Sequence, residues 1–188
     1  MRLVYLVRHA SPVIQPTAPA EEWRLSDRGI EEARALGEAA RSWSLRAVYS
    51  SPEPKAMSTA LLIGDSVELP VHAVEGFYEL RLGGSFIGNA DQFSETIRAI
   101  LEQPEASVRG SEPASAAAAR FAAGMRSVEA GPFPAAVVAH GRVMISYLAS
   151  VLGIEDPFAL WRSLPMPGWI VLDLDGPKLV SEPEGLPA

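Results

Sequence analysis

The stretch Leu3-Val4-Tyr5-Leu6-Val7-Arg8-His9-Ala10-Ser11-Pro12 decides how the rest of the chain is read. Five apolar residues rich in strand formers, stopped by polar residues and a proline, describe a short buried strand. Its carboxyl end delivers a guanidinium and an imidazole side by side. An Arg-His dipeptide alone is ordinary, and a single loop histidine carries no function. A second histidine changes the reading, because Ala135-Ala136-Val137-Val138-Ala139 runs in the same way into His140-Gly141. In open α/β sheets, ligands sit just outside the carboxyl ends of the strands, so two strand-end histidines predict one shared site.

A chain of 188 residues suits one domain with a sizeable core. Its 48% hydrophobic and 21% charged residues are ordinary globular usage, unlike a disordered segment. The net charge of -7 argues against a general nucleic-acid or anionic-membrane binder, which needs an extended basic surface. A few cations gathered in a pocket remain compatible with an acidic exterior. Without cysteine there is no disulfide framework and no thiolate chemistry. No apolar run is long enough to span a bilayer and no signal-peptide pattern opens the chain, so the default expectation is a cytoplasmic protein.

Strands and helices alternate along the sequence. Ser26 is an N-cap before a helix whose Ile30, Ala33, Leu36, Gly37 and Ala40 form one apolar face. A strand over residues 45–49 ends at Ser50-Ser51-Pro52, with Pro52 in the first turn of a helix through Ala56, Thr59, Ala60 and Leu62. A third strand around 69–74 contains Pro70, which marks an edge or a strand start. It leads into a glycine-bearing loop with Glu79. Helices are expected at about 90–102 and 113–129, the latter alanine-rich, with a flexible connection at 104–110 between them. After the strand at 135–139 come a helix closed by Gly153, a strand at 169–174 and a possible partner strand at 178–180. This order predicts an α/β/α three-layer sandwich around a mostly parallel sheet, in a single domain over 1–188 with a small cap insertion around 83–110.

On that scaffold Arg8, His9, Lys55, Glu79 and His140 fall at or just after predicted strand ends. As a metal site the set lacks a closely spaced ligand pair, and Arg8 and Lys55 would repel a cation. Phosphoryl transfer suits it better. A neutral imidazole can attack phosphorus and split one hard step into two easier ones. Fixed cations can then hold the equatorial oxygens, and a carboxylic acid can protonate the leaving oxygen before activating water. Such chemistry needs no metal and no cofactor. Glu75 shares the loop of Glu79 and competes for the acid role, and Arg81 and Arg142 are further candidate cations. His72 reads as structural or exposed, and the four tryptophans as packing residues.

The same residues resemble the histidine phosphatase superfamily, the phosphoglycerate mutase-like proteins, over essentially the whole chain. Arg8-His9-Ala10 is similar to the family's Arg-His-Gly signature, and Leu25-Ser26-Asp27-Arg28-Gly29 to its first-helix pattern. Ser50-Ser51-Pro52-Glu53-Pro54-Lys55-Ala56-Met57-Ser58-Thr59-Ala60 resembles its Ser-Ser-Pro-x-x-Arg-Ala-x-x-Thr-Ala segment. Tyr78-Glu79-Leu80 occupies the place of the acid, His140-Gly141 matches the second histidine, and Gly110-Ser111-Glu112 with Arg120 is an imperfect form of a further stretch. The resemblance implies His9 as phosphoryl acceptor, Glu79 as acid, His140 as second catalytic histidine, and Arg8, Lys55, His140 and Gly141 as the phosphate-binding set. It implies a small-molecule phosphate ester or a phosphopeptide as substrate.

There are departures. Lys55 stands where the family has arginine and lacks the planar fork that matches phosphate oxygens. Ala10 replaces a glycine, and Gly84-Ser85-Phe86-Ile87-Gly88 lacks the family's glutamate after the acid. The mutases are longer, so a phosphatase is expected over a mutase, with a low-turnover phosphate-binding or regulatory relative as the alternative.

Overall fold

A computed structural model describes residues 1–187. The chain runs β1 (Leu3–Arg8), α1 (Asp27–Ala40), β2 (Ala47–Ser50), α2 (Pro54–Val67), β3 (Val71–Ala73), α3 (Ala90–Glu102), α4 (Ala114–Glu129), β4 (Ala135–Ala139), α5 (Gly141–Leu152), α6 (Pro157–Ser163), β5 (Gly168–Asp173), β6 (Lys178–Leu179) and β7 (Glu184–Gly185), with short 3-10 turns between. The sheet order is β3-β2-β4-β1-β5-β6, with β7 also on β5. The four strands β3, β2, β4 and β1 are mutually parallel, and β5 turns the sheet antiparallel at β1. This is the expected α/β architecture. β3 is the edge strand that Pro70 announced, and it places His72 on the exposed rim, tilted over Tyr49.

Period-two alternation assigns each strand's side chains to two cores. Ala135, Val137 and Ala139 of β4, with Val4 and Leu6 of β1, face the core built by α3, α4, α5 and α6, where Phe77, Phe121 and Leu148 are fully buried. Ala136, Val138 and Val7 face the opposite core, with Leu36 and Ala40 of α1 and Ala56, Ala60 and Ile63 of α2. Tyr5 stacks on Trp43, which tilts against Trp169, while Trp161 lies on Phe158, so these tryptophans pack as expected. Trp23 instead closes edge-on against Phe86, joining the loop after β1 to the segment that follows β3.

Three elements differ from the sequence reading, which has no strand at Glu184–Gly185. α6 is missing from it, although Asp156 caps the Ala159 N–H and Pro157 occupies the first turn, because seven residues are too few to show a period. α2 begins at Pro54 and not at Pro52. Glu53 is therefore its N-cap residue, with extended backbone, and its side chain is free to turn into the protein. The connection at 104–110 contains a 3-10 turn at Val108–Gly110 with Arg109 in the left-handed region. Among the described residues no helix is long and apolar enough to cross a membrane.

Candidate active site

Arg8 of β1 pairs in register with Ala139 of β4, so the next residues, His9 and His140, leave the sheet as neighbours at the carboxyl ends of adjacent parallel strands. Their rings meet edge to face with centroids 5.1 Å apart. The two strand-end histidines of the sequence thus do share one site.

The loop carrying His9 is pinned from both sides. The Ala10 N–H donates to Thr59 Oγ1 of α2, and the Ser11 N–H to Glu32 of α1. Ser26 caps α1 by accepting from the Gly29 N–H, and its hydroxyl donates to the Ser11 carbonyl. Gly29 is required by this approach: a Cβ there would lie 2.0 Å from the Ser11 oxygen. The Leu-Ser-x-x-Gly pattern is therefore a clamp on the loop after the histidine.

His9 Nδ1 lies 2.7 Å from the Ala10 carbonyl. A carbonyl only accepts, so Nδ1 carries the proton and Nε2 keeps a lone pair. Burial pushes the imidazole from its ordinary 6.5 down to about 3; the Ala10 bond opposes this, while Lys55, Arg8 and Arg142 add to it. Burial also holds His140 well below the ordinary value, reinforced by His9 and Lys55. Both rings are neutral near pH 7. His140 Nε2 pairs with Ser51 Oγ at 2.8 Å.

These depressed values couple to stability. In the unfolded chain the histidines bind protons below about pH 6.5, whereas folded His9 does so only near 3. Stability is therefore expected to fall as pH drops from about 6.5 toward 3, and urea midpoints of a His9→Asn variant should fall less steeply over that window than those of the wild type.

Arg8 donates from Nη1 to the Leu164 carbonyl at 2.8 Å, while its Nε is sealed from solvent without a partner, as is His140 Nδ1. Gly141 packs on this guanidinium: a Cβ there would come 3.2 Å from Arg8 Nε. Unpartnered buried nitrogens on an arginine and a histidine at one site are groups that an anionic oxygen would satisfy.

Glu79 lies across the entrance of α5. Its Oε1 accepts from the Leu80 and Val143 N–H groups, and its Oε2 lies 3.3 Å from the Arg142 backbone nitrogen and 3.6 Å from that residue's guanidinium. The carboxylate thus caps the N-terminus of α5 beside Gly141. Arg120 fixes this loop by donating to the Gly76 and Tyr78 carbonyls, pairing with Glu112 and stacking on Tyr78. Of the other candidates, Arg142 belongs to the site. Glu75 and Arg81 are exposed, Glu75 in a 3-10 turn and Arg81 over the Tyr78 ring.

Lys55 is buried and does not stand free. Its Nζ pairs with Glu53 Oε2 and donates to the Ala20 carbonyl at 2.7 Å. Glu53 Oε1 accepts from the Glu79 N–H at 2.7 Å, and Oε2 is 3.7 Å from His140 Nε2. Sequence reasoning missed Glu53. Its signal was an acid two residues before the site lysine, directly ahead of the proline that starts α2. Among the described residues no group of three His, Asp or Glu side chains is arranged to hold a metal ion.

Two neutral histidines, an arginine, a lysine and a capping carboxylate thus gather at the strand ends of a mostly parallel sheet. The chain belongs to the histidine phosphatase superfamily (branch 1), whose family model matches residues 4–182. No curated protein matches the sequence significantly. Among solved structures, a mycobacterial glucosyl-3-phosphoglycerate phosphatase superposes with a TM-score of 0.80 at 20% identity, covering 100% of both chains. A phosphoserine phosphatase from Entamoeba histolytica gives 0.73 at 18% identity, over 99% of this chain and 98% of that one. Bacillus stearothermophilus YhfR gives 0.74 at 20% identity, with the same coverage. At these identities the likeness is one of fold.

Proposed function

We propose that the protein is a metal- and cofactor-independent phosphatase that hydrolyses a phosphate monoester through a phosphohistidine on His9. The observation that carries this reading is the Nδ1–H bond to Ala10, which leaves the Nε2 lone pair of a neutral ring next to His140. In the first step Nε2 attacks phosphorus, the bond from phosphorus to the ester oxygen breaks, and protonated Glu79 gives that oxygen its proton. In the second step the Glu79 carboxylate takes a proton from water, whose oxygen displaces His9 and releases inorganic phosphate. Arg8, Lys55, His140 and the N–H of Gly141 hold the phosphoryl oxygens, with the sealed Arg8 Nε and His140 Nδ1 as donors in reserve. The fold and the phosphatases named above support a small phosphate ester as substrate.

The short cap around α3, with Phe93 against Trp161, favours hydrolysis over mutase chemistry, which has to retain a doubly phosphorylated intermediate. Engagement of Lys55 by Glu53 and Ala20 favours, as a second reading, a phosphate binder of low turnover. A chromogenic phosphate ester supplied in excess chelator distinguishes them. Turnover is expected; phosphate binding without turnover would establish the second reading, and primer-dependent interconversion of phosphoglycerates would establish a mutase.

A further inference from the structure

The carboxylate of Glu53 is buried in the middle of the candidate site and has no part in the mechanism above. Its two oxygens take the Lys55 ammonium and the Glu79 N–H, and one of them faces the Nε2 edge of His140. Two donors from two elements, the Lys55 ammonium of α2 and the Glu79 N–H of the loop after β3, therefore converge on one anionic carboxylate beside the neutral His140 ring. A phosphoryl oxygen would seek the same partners.

We propose that Glu53 sets the charge of the anion site and hence the form of phosphate it accepts, so that a phosphate group is bound together with a proton taken up by Glu53. The proposal rests on the phosphatase reading only in placing phosphate beside Lys55 and His140. The charge balance at Lys55 supports it. Lys55 and Glu53 cancel as a buried pair, and both histidines beside them are neutral. A phosphoryl oxygen taken up by Lys55 would therefore lie against the Glu53 carboxylate in a setting where water screens poorly. Protonating Glu53 removes that repulsion, releases Lys55 toward the phosphoryl oxygens and leaves the Glu79 N–H bond in place.

The groups facing Glu53 agree with that role. Burial raises its carboxyl above the ordinary carboxylate range; Lys55 and the Glu79 N–H oppose this, and the Glu79 charge adds to it. With His9 and His140 neutral down to acidic pH, Glu53 is the group beside Lys55 able to take up the proton.

The test is calorimetric titration of the intact protein with inorganic phosphate, in two buffers of different ionisation enthalpy, for the wild type and Glu53→Gln. At pH 8 the variant is expected to bind phosphate about tenfold more tightly, because the repelling charge is gone. The wild type should take up about one proton more per phosphate bound than the variant does. Equal affinities with equal proton uptake would overturn the role of Glu53 while leaving the phosphate site intact. Absence of phosphate binding by both proteins would overturn the phosphate site as well. Should Glu53→Gln fail to fold, wild-type proton uptake no larger than phosphate's own second ionisation requires would equally refute the proposal.

Discussion

Replacing His9 by alanine is expected to lower kcat for phosphate-ester hydrolysis by roughly 10^4-fold or more, to the level of uncatalysed attack by water in a phosphate-binding pocket. The size follows from the chemistry. Without the Nε2 lone pair there is no covalent intermediate, and no neighbouring side chain can replace it, since His140 Nε2 is committed to Ser51. The His9→Ala substitution would leave the clamp on the loop intact, because the Ala10 and Ser11 bonds are made by backbone N–H groups. The variant should therefore fold, and phosphate affinity measured by calorimetry should change little. Full activity in His9→Ala would end the mechanism.

Arg8→Ala should reduce kcat/KM by about 10^2- to 10^3-fold, and Arg8→Lys should recover only part of that loss. Arg8 sits where β1 meets the site, anchored through Nη1 on Leu164, with Gly141 kept small against its Nε. That arrangement fixes a planar donor set before substrate arrives. A lysine reaching the same place has its three donors on one nitrogen, without the planar spread that lets a guanidinium hold Leu164 with one nitrogen and present others to phosphoryl oxygens. Steady-state kinetics with inorganic phosphate as competitor read the outcome: the inhibition constant should rise alongside KM. An unchanged kcat/KM would remove Arg8 from the site.

Much of this arrangement was legible in residue order. The histidines could be paired because a strand that ends at a polar residue in a parallel sheet points that residue at the ligand side, and β1 and β4 are adjacent in the sheet. The edge placement of β3 followed from Pro70, and the cap of α1 from Ser26. Glu53 was not legible. Its two neighbouring prolines leave the start of α2 open to either, and only the start at Pro54 turns residue 53 from a helical surface position into a cap that faces inward. The short α6 was hidden for a different reason: its stability comes from packing Phe158 and Trp161 and not from any local period. The engagement of Lys55 by the Ala20 carbonyl joins positions 35 residues apart across a loop, a contact that spacing does not encode.

The proposed chemistry stands or falls on phosphorus passing through His9. The direct measurement is rapid quenching of the protein during turnover of a phosphorus-labelled ester, followed by peptide mapping at alkaline pH, where a phosphoramidate survives. Acid-labile, alkali-stable label is expected on the peptide containing His9, with none on the peptide containing His140 and none in His9→Ala. Sustained turnover with no label on His9, or label carried by His140, would contradict it.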